Sequence, residues 1–296
     1  YQFGDKSETL IGDEIHNWLT VNGTSVRINE GKATEYVKKL AASYDTAYKA
    51  KSLKTSYGKT VSITGGSYGY KINQAKEAAT LVSLIKNGEQ TSREPEYSQK
   101  GASRTGNDYG NTYVEINLTA QHLYFYVKGK LVTQSDFVSG NAAKGWSTPA
   151  GAYSITYKQR NATLKGQGYA TPVSYWMPFN GGIGLHDANW RKTFGGTIYK
   201  TNGSHGCVNL PPAVAKTIYE NISAGDPVLC YHLDGTESAS TSGTKKDETA
   251  ATTAAATTAA PETTVAPTTA APETTAAPTT AAPTTEAPTT PAAGGD

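Results

Sequence analysis

The chain has 296 residues, 18% of them charged and 37% hydrophobic, a balance that fits soluble globular parts. Its net charge of +2 hides a division, because residues 1–246 set 27 Lys and Arg against 19 Asp and Glu and carry +8, while the remainder is purely acidic. There is no dense Lys/Arg run, and no apolar run approaches the ~18 residues that span a membrane, so neither a nucleic-acid partner nor a transmembrane segment is expected.

Residues 30–55 place Val37, Leu40, Ala41, Tyr44 and Tyr48 at spacings of three, four and seven, which predicts an amphipathic helix. A second helix is predicted over 73–87, with Asn73 as cap, Gly88 as stop, and Ile72, Ala75, Ala79, Val82 and Ile85 on its buried side. Between them "VSITGGSYGYKI" reads as a strand or hairpin. Residues 1–105 therefore form an α+β module, and the polar, Gly- and Pro-containing stretch 91–111 is its linker.

A mainly β domain is expected over 111–233. Val114, Ile116 and Leu118 alternate with polar residues, and Leu123–Val127 and Leu131–Val132 flank the turn "KGK", which makes a hairpin. Short strands near 151–157 and 183–186, separated by Gly/Pro turns, favour an antiparallel sandwich or barrel over βαβ units. "PPAVAKTIYENISAGD" carries prolines at a helix start, Val214, Ile218 and Ile222 on one side and Gly225 as the stop. "PVLCY" then closes the sheet, with Cys230 buried. Residues 234–296 run into an Ala/Thr/Pro repeat whose only branched aliphatic is Val265. Such a segment cannot bury enough apolar surface to order itself, so a disordered tail is expected.

The chemistry concentrates around "TNGSHGCVNLP", residues 201–211. A cysteine attacks a carbonyl only as thiolate and needs a nearby base, and histidine is the usual partner. His205 stands two places before Cys207, and His186 ends an apolar strand in "GGIGLHDANW". Gly206 permits close approach of backbone to an oxyanion. Ser204 is placed to orient an imidazole, and Asn209 to hold the loop or a substrate carboxylate. A structural turn is the plain alternative. Zinc ligation by His186, His205 and Cys207 is disfavoured, since no paired CxxC or HxxxH spacing occurs. A papain-like protease is disfavoured by chain order, because there the cysteine precedes its histidine. Five Asn-x-Ser/Thr sequons, one at Asn202 beside Cys207, make a bacterial origin the easier reading.

The spacing of His186, seventeen intervening residues and Ser204-His205-Gly206-Cys207-Val208-Asn209 resembles the motif of the L,D-transpeptidases with a YkuD-type domain. "STPAGAYSI" (147–155), "MPFNGGIGLHDANWR" (177–191) and "GSHGCVNLP" (203–211) extend the likeness over most of 111–232. The preceding segment is similar to the peptidoglycan-binding module that accompanies this domain in Gram-positive bacteria, shortened at its N-terminus.

The resemblance implies an extracellular cell-wall enzyme without metal or cofactor, held by an anchor upstream of residue 1. Cys207 would attack the third residue of a peptidoglycan tetrapeptide stem, expel the terminal D-Ala, and pass the thioester to an amine of an acceptor stem. It implies His186 as general base oriented near Asp187, His205 as an assistant, and backbone N–H groups around His205, Gly206 and Cys207 as the oxyanion hole. Tyr175, Trp176 and Trp190 are expected to line the groove. Glycan strands would bind the N-terminal module, and carbapenems would acylate Cys207. An L,D-carboxypeptidase of the same fold and a non-catalytic wall-binding protein are the rival readings.

Overall fold

The computed structural model describes residues 1–166 and 168–237; the expected disordered tail lies almost wholly outside them. In the N-terminal module, α1 (Glu30–Tyr44) starts at Asn29, whose side chain accepts the Lys32 N–H. Its apolar stripe buries Tyr36, Val37, Leu40 and Ala41. Burying a Val or Leu side chain contributes about 1.5–3 kcal/mol. The helix stops earlier than its stripe predicts. Asp45 turns extended, its carboxylate accepts the Ile72 N–H, and the Thr46 and Ala47 N–H groups donate to the Tyr70 carbonyl. Tyr48 is thereby left exposed with φ of 64°, and Lys51–Lys54 forms a hairpin with Thr60–Ile63.

The second helix, α2 (Gln74–Lys86), is capped by Asn73 as expected. Its buried side is rotated from the predicted one: Ala75 and Ala79 are exposed, while Glu77, Ala78, Leu81 and Val82 are buried. The cause is Glu77, whose carboxylate accepts two-pronged bonds from Arg93 at 2.9–3.0 Å, the Glu96 N–H at 2.6 Å and the Tyr1 hydroxyl at 2.6 Å. Four donors around one buried carboxylate fix that face inward, since an unpaired charge there would cost several kcal/mol. Arg93 belongs to the stretch expected to be a linker. That stretch is tied down: Tyr97–Gln99 pairs with Lys71–Ile72, and Arg104 lies 3.9 Å over the Tyr70 ring and donates to the Tyr44 carbonyl.

The following domain is built from two sheets. Strands β1 (Tyr113–Asn117), β2 (His122–Val127), β3 (Lys130–Asp136), β4 (Gly151–Ser154) and β9 (Pro227–Tyr231) form the first, in the order β3-β2-β1-β9-β4. Strands β5 (Gln159–Gly166), β6 (Tyr169–Asn180), β7 (Ile183–Asp187) and β8 (Val208–Leu210) form the second in sequence order. The β2–β3 turn is the predicted one, with Lys128 and Gly129 both at positive φ. Val114, Ile116, Leu123 and Phe125 from one sheet meet Met177, Phe179, Leu185, Val208 and Leu210 from the other, and α3 (Pro212–Asn221) adds Ala215 and Ile218. That shared core makes the domain a β-sandwich. It is mixed rather than wholly antiparallel, because β9 inserts parallel to β1 and β8 lies parallel to β7. Both parallel pairs arise where the chain returns through a long excursion rather than a hairpin.

Candidate active site

Strand register assembles the site. Trp176 on β6 lies opposite His186 on β7, which lies opposite Asn209 on β8. Successive residues of a strand face opposite ways, so Met177, Leu185, Val208 and Leu210 enter the core while these three share the other face. Cys207 stands one residue ahead of β8, against Leu164 and Trp176.

His186 is 3% exposed, and its Nδ1 sits 2.8 Å from the Asp187 carbonyl oxygen. A carbonyl only accepts, so Nδ1 carries the proton and Nε2 keeps a lone pair. The Asn209 amide fits the same tautomer: its Oδ1 accepts from Arg191 Nε at 2.8 Å, so its Nδ2 donates to His186 Nε2 at 3.0 Å. Burial first, and the Arg191 charge as a lesser cause, lower the imidazole from its ordinary value, with the Asp187 carbonyl bond opposing them. His186 is therefore a neutral, oriented base. The Asp187 carboxylate plays a separate part, accepting the Ser174 and Tyr175 N–H groups at 2.8 Å each and stitching β7 to β6.

The half-buried Cys207 thiol donates its single proton to the Gly182 carbonyl at 3.5 Å. Burial pushes it up to about 11, against a bond from the Gly184 backbone that favours the thiolate. The resting pair is thus thiol and imidazole, not thiolate and imidazolium. Gly206 has φ of 118°, and an added Cβ would stand 3.0 Å from Ile183 Cδ1, so only glycine suits the position. Its carbonyl accepts from Thr148 Oγ1 at 2.6 Å. Ser204 orients the loop, not an imidazole: its hydroxyl donates to the Cys207 carbonyl at 2.5 Å and accepts the Gly206 N–H at 3.1 Å. The Gly206 N–H expected in the oxyanion hole is thereby spent. His205 is exposed and stacks on Trp146, ring centroids 4.1 Å apart at 24°.

A cavity of about 230 Å³ brings His186, Trp190, Arg191, His205, Cys207 and Asn209 together. Of the three expected groove aromatics, Trp190 lines this cavity and is 48% exposed. Trp176 is buried behind Cys207. Tyr175, of opposite parity on β6, packs against the main core beside Tyr219. Asn209 bonds His186 and Arg191. Sequence reasoning passed over Arg191, Thr148, Trp146 and the Gly182 carbonyl. Arg191 had one signal, as the lone cation ending the "HDANWR" segment. A larger cavity of about 600 Å³ lies in the N-terminal module and contains neither thiol nor imidazole.

A cysteine thiol and an oriented neutral histidine thus share one cavity, on a mixed β-sandwich behind an α+β module. The model of the L,D-transpeptidase catalytic domain, YkuD, matches residues 111–230, and that of a peptidoglycan-binding domain matches residues 1–93. The chain is similar to a cysteine-to-serine mutant of the Enterococcus faecium L,D-transpeptidase, at 33% identity over 78% of this chain and 94% of that one, with a TM-score of 0.65. It is also similar to the Ldtfm–avibactam carbamoyl enzyme, at 34% identity over 75% of this chain and 88% of that one, with a TM-score of 0.62. No curated protein matches it. The chain belongs to the L,D-transpeptidase family, cell-wall enzymes that act on peptidoglycan. Among the described residues no helix is long and apolar enough to cross a membrane.

Proposed function

We propose that this enzyme joins third residues of peptidoglycan stems through a thioester on Cys207, outside the cell at the wall, with residues 1–105 presenting glycan strands to residues 111–233. The observation that carries the reading is the tautomer lock on His186: Nδ1 is held by the Asp187 carbonyl, so Nε2 is the basic nitrogen, resting against the Asn209 amide on the wall of the cavity that Cys207 shares. On donor binding, the thiol proton leaves the Gly182 carbonyl for Nε2, displacing the Asn209 amide. The thiolate attacks the carbonyl carbon of the third residue, and the oxyanion falls to the Cys207 N–H, the Gly206 N–H being occupied. The bond to D-Ala breaks as its nitrogen takes the proton from His186. The acceptor amine then attacks the thioester, His186 removes its extra proton, and the thiolate leaves and recovers that proton. His205, pinned by Trp146, sits at the cavity mouth and steers substrate. One relative is a carbamoyl enzyme of avibactam; we carry that chemistry, and acylation by carbapenems, to Cys207.

Mass spectrometry of products from purified disaccharide-tetrapeptides, with Cys207→Ala alongside, tests the reading. Cross-linked dimers from the wild type alone are expected. Tripeptide without dimer would make the enzyme an L,D-carboxypeptidase, and unchanged substrate would leave a wall-binding protein.

A further inference from the structure

The Arg191 side chain has more hydrogen-bonding capacity than the fold uses. Its Nε donates to Asn209, but among the described residues none of its four Nη protons has a partner and no carboxylate pairs with it. The other partly buried arginines differ: Arg93 is spent on Glu77, and Arg104 on the Tyr44 carbonyl and the Tyr97 hydroxyl. The nearest acid on the same segment, Asp187, is turned to the backbone of β6. A partly buried guanidinium whose Nη fork is open and without a counter-charge is free to take a carboxylate from a ligand. Burial also lowers Arg191 from its ordinary value, in keeping with a site kept short of water.

We infer that Arg191 is a carboxylate subsite, and that it binds the terminal carboxylate of the donor tetrapeptide. The inference rests on the L,D-transpeptidase reading given above. Arg191 lines the same cavity as Cys207 and is two hydrogen bonds, 2.8 and 3.0 Å, from the His186 ring. In a tetrapeptide the scissile carbonyl and the terminal carboxylate are one residue apart, about 3.5 Å along an extended chain. A group held on the Nη fork therefore brings the scissile carbon beside the sulfur, within one small cavity. A planar fork suits a carboxylate bidentately, as a lysine ammonium does not. The consequence is a ruler: a stem ending one residue beyond the scissile bond fits, while a pentapeptide puts its carboxylate a residue too far.

The test compares two donors whose third residue is lysine, so that its side chain bears no carboxylate. One ends in D-Ala and the other in D-Ala amide. Wild type should favour the acid by about 100-fold or more in kcat/KM, because a site built around a polar group rejects the analogue lacking it. Arg191→Gln should lose far more activity toward the acid than toward the amide, so that the preference collapses toward one. Arg191→Lys should restore part of it. Equal loss toward both donors would overturn the subsite and leave Arg191 as a positioning residue for Asn209 and His186. Should Arg191→Gln not fold, equal use of both donors by the wild type would still overturn it. Wild type turning over neither donor would remove the transpeptidase reading, and the subsite with it.

Discussion

The resting protonation state of Cys207 is open to direct test by alkylation across pH. The thiol is pushed up from 9.0 to about 11, chiefly by burial. Each pH unit is tenfold in ionisation, so at neutral pH about 100-fold less thiolate is present than in an ordinary cysteine. His186 is shifted the other way, so no imidazolium stands by to hold a thiolate. Iodoacetamide labelling of the Cys207 peptide, followed by mass spectrometry, should give a rate that rises tenfold per unit from pH 7 to about 10. Cys230, fully buried, serves as the unlabelled internal reference. The thiol proton rests on the Gly182 carbonyl, so His186→Ala should leave the neutral-pH labelling rate nearly unchanged while lowering thioester formation from tetrapeptide by about 10²–10⁴-fold. A plateau in labelling below pH 8, lost in His186→Ala, would mean a standing thiolate–imidazolium pair and would refute the neutral resting state.

Asn209→Asp sets a carboxylate against the His186 ring; it favours the imidazolium and should move the acid limb of kcat/KM upward by about one pH unit or more, and an unmoved limb in the pH–rate profile would count against the Asn209–His186 contact. Stability carries its own signature: the folded His186 is depressed below 6.5, so its contribution is full above that pH and is lost as pH falls through the folded value. Urea midpoints from pH 8 to 4 should therefore fall more steeply for wild type than for His186→Gln, and parallel curves would contradict the depressed imidazole.

Cys207 and His186 stood out in the sequence as a candidate pair because their signal is local. Ser204 to Asn209 form one loop and the start of one strand, and His186 ends another, so the motif names them without knowledge of how the strands meet. Strand parity was not legible. Tyr175 and Trp176 are neighbours, and which of them faces the site depends on Trp176 pairing with His186, a register set between segments ten residues apart. Arg191 and the Gly182 carbonyl were missed for the same reason. Neither is chemically unusual in sequence, and each acquires its role only when β6, β7 and β8 are laid side by side. The helix face at Glu77 failed for a different cause. An apolar-stripe rule assigns a carboxylate to solvent, whereas Arg93, Tyr1 and the Glu96 N–H together offset its desolvation.

The sequence boundary between module and catalytic domain also looks different once packing is considered. Glu115, on the outer side of β1 and fully buried, accepts the Ser56 N–H and hydroxyl from the tip of the N-terminal hairpin and the Tyr231 hydroxyl from β9. Leu53, Ile63 and Tyr68 of the module pack with Ala152, Leu229 and Tyr231 of the sheet. Gly66 runs alongside Ala152 at φ of 79°, so close that any Cβ would overlap the Ala152 carbonyl. A buried carboxylate shared by both parts, an apolar cluster that neither completes alone, and a backbone contact that tolerates only glycine make a joint that opens at a cost of several kcal/mol. The hairpin over 51–63 is therefore an outer layer of the catalytic sandwich, though it lies within the stretch that matches a peptidoglycan-binding domain. The joint fixes the hairpin and Tyr68 against the sheet edge formed by β4 and β9, rather than leaving the two parts on a loose tether.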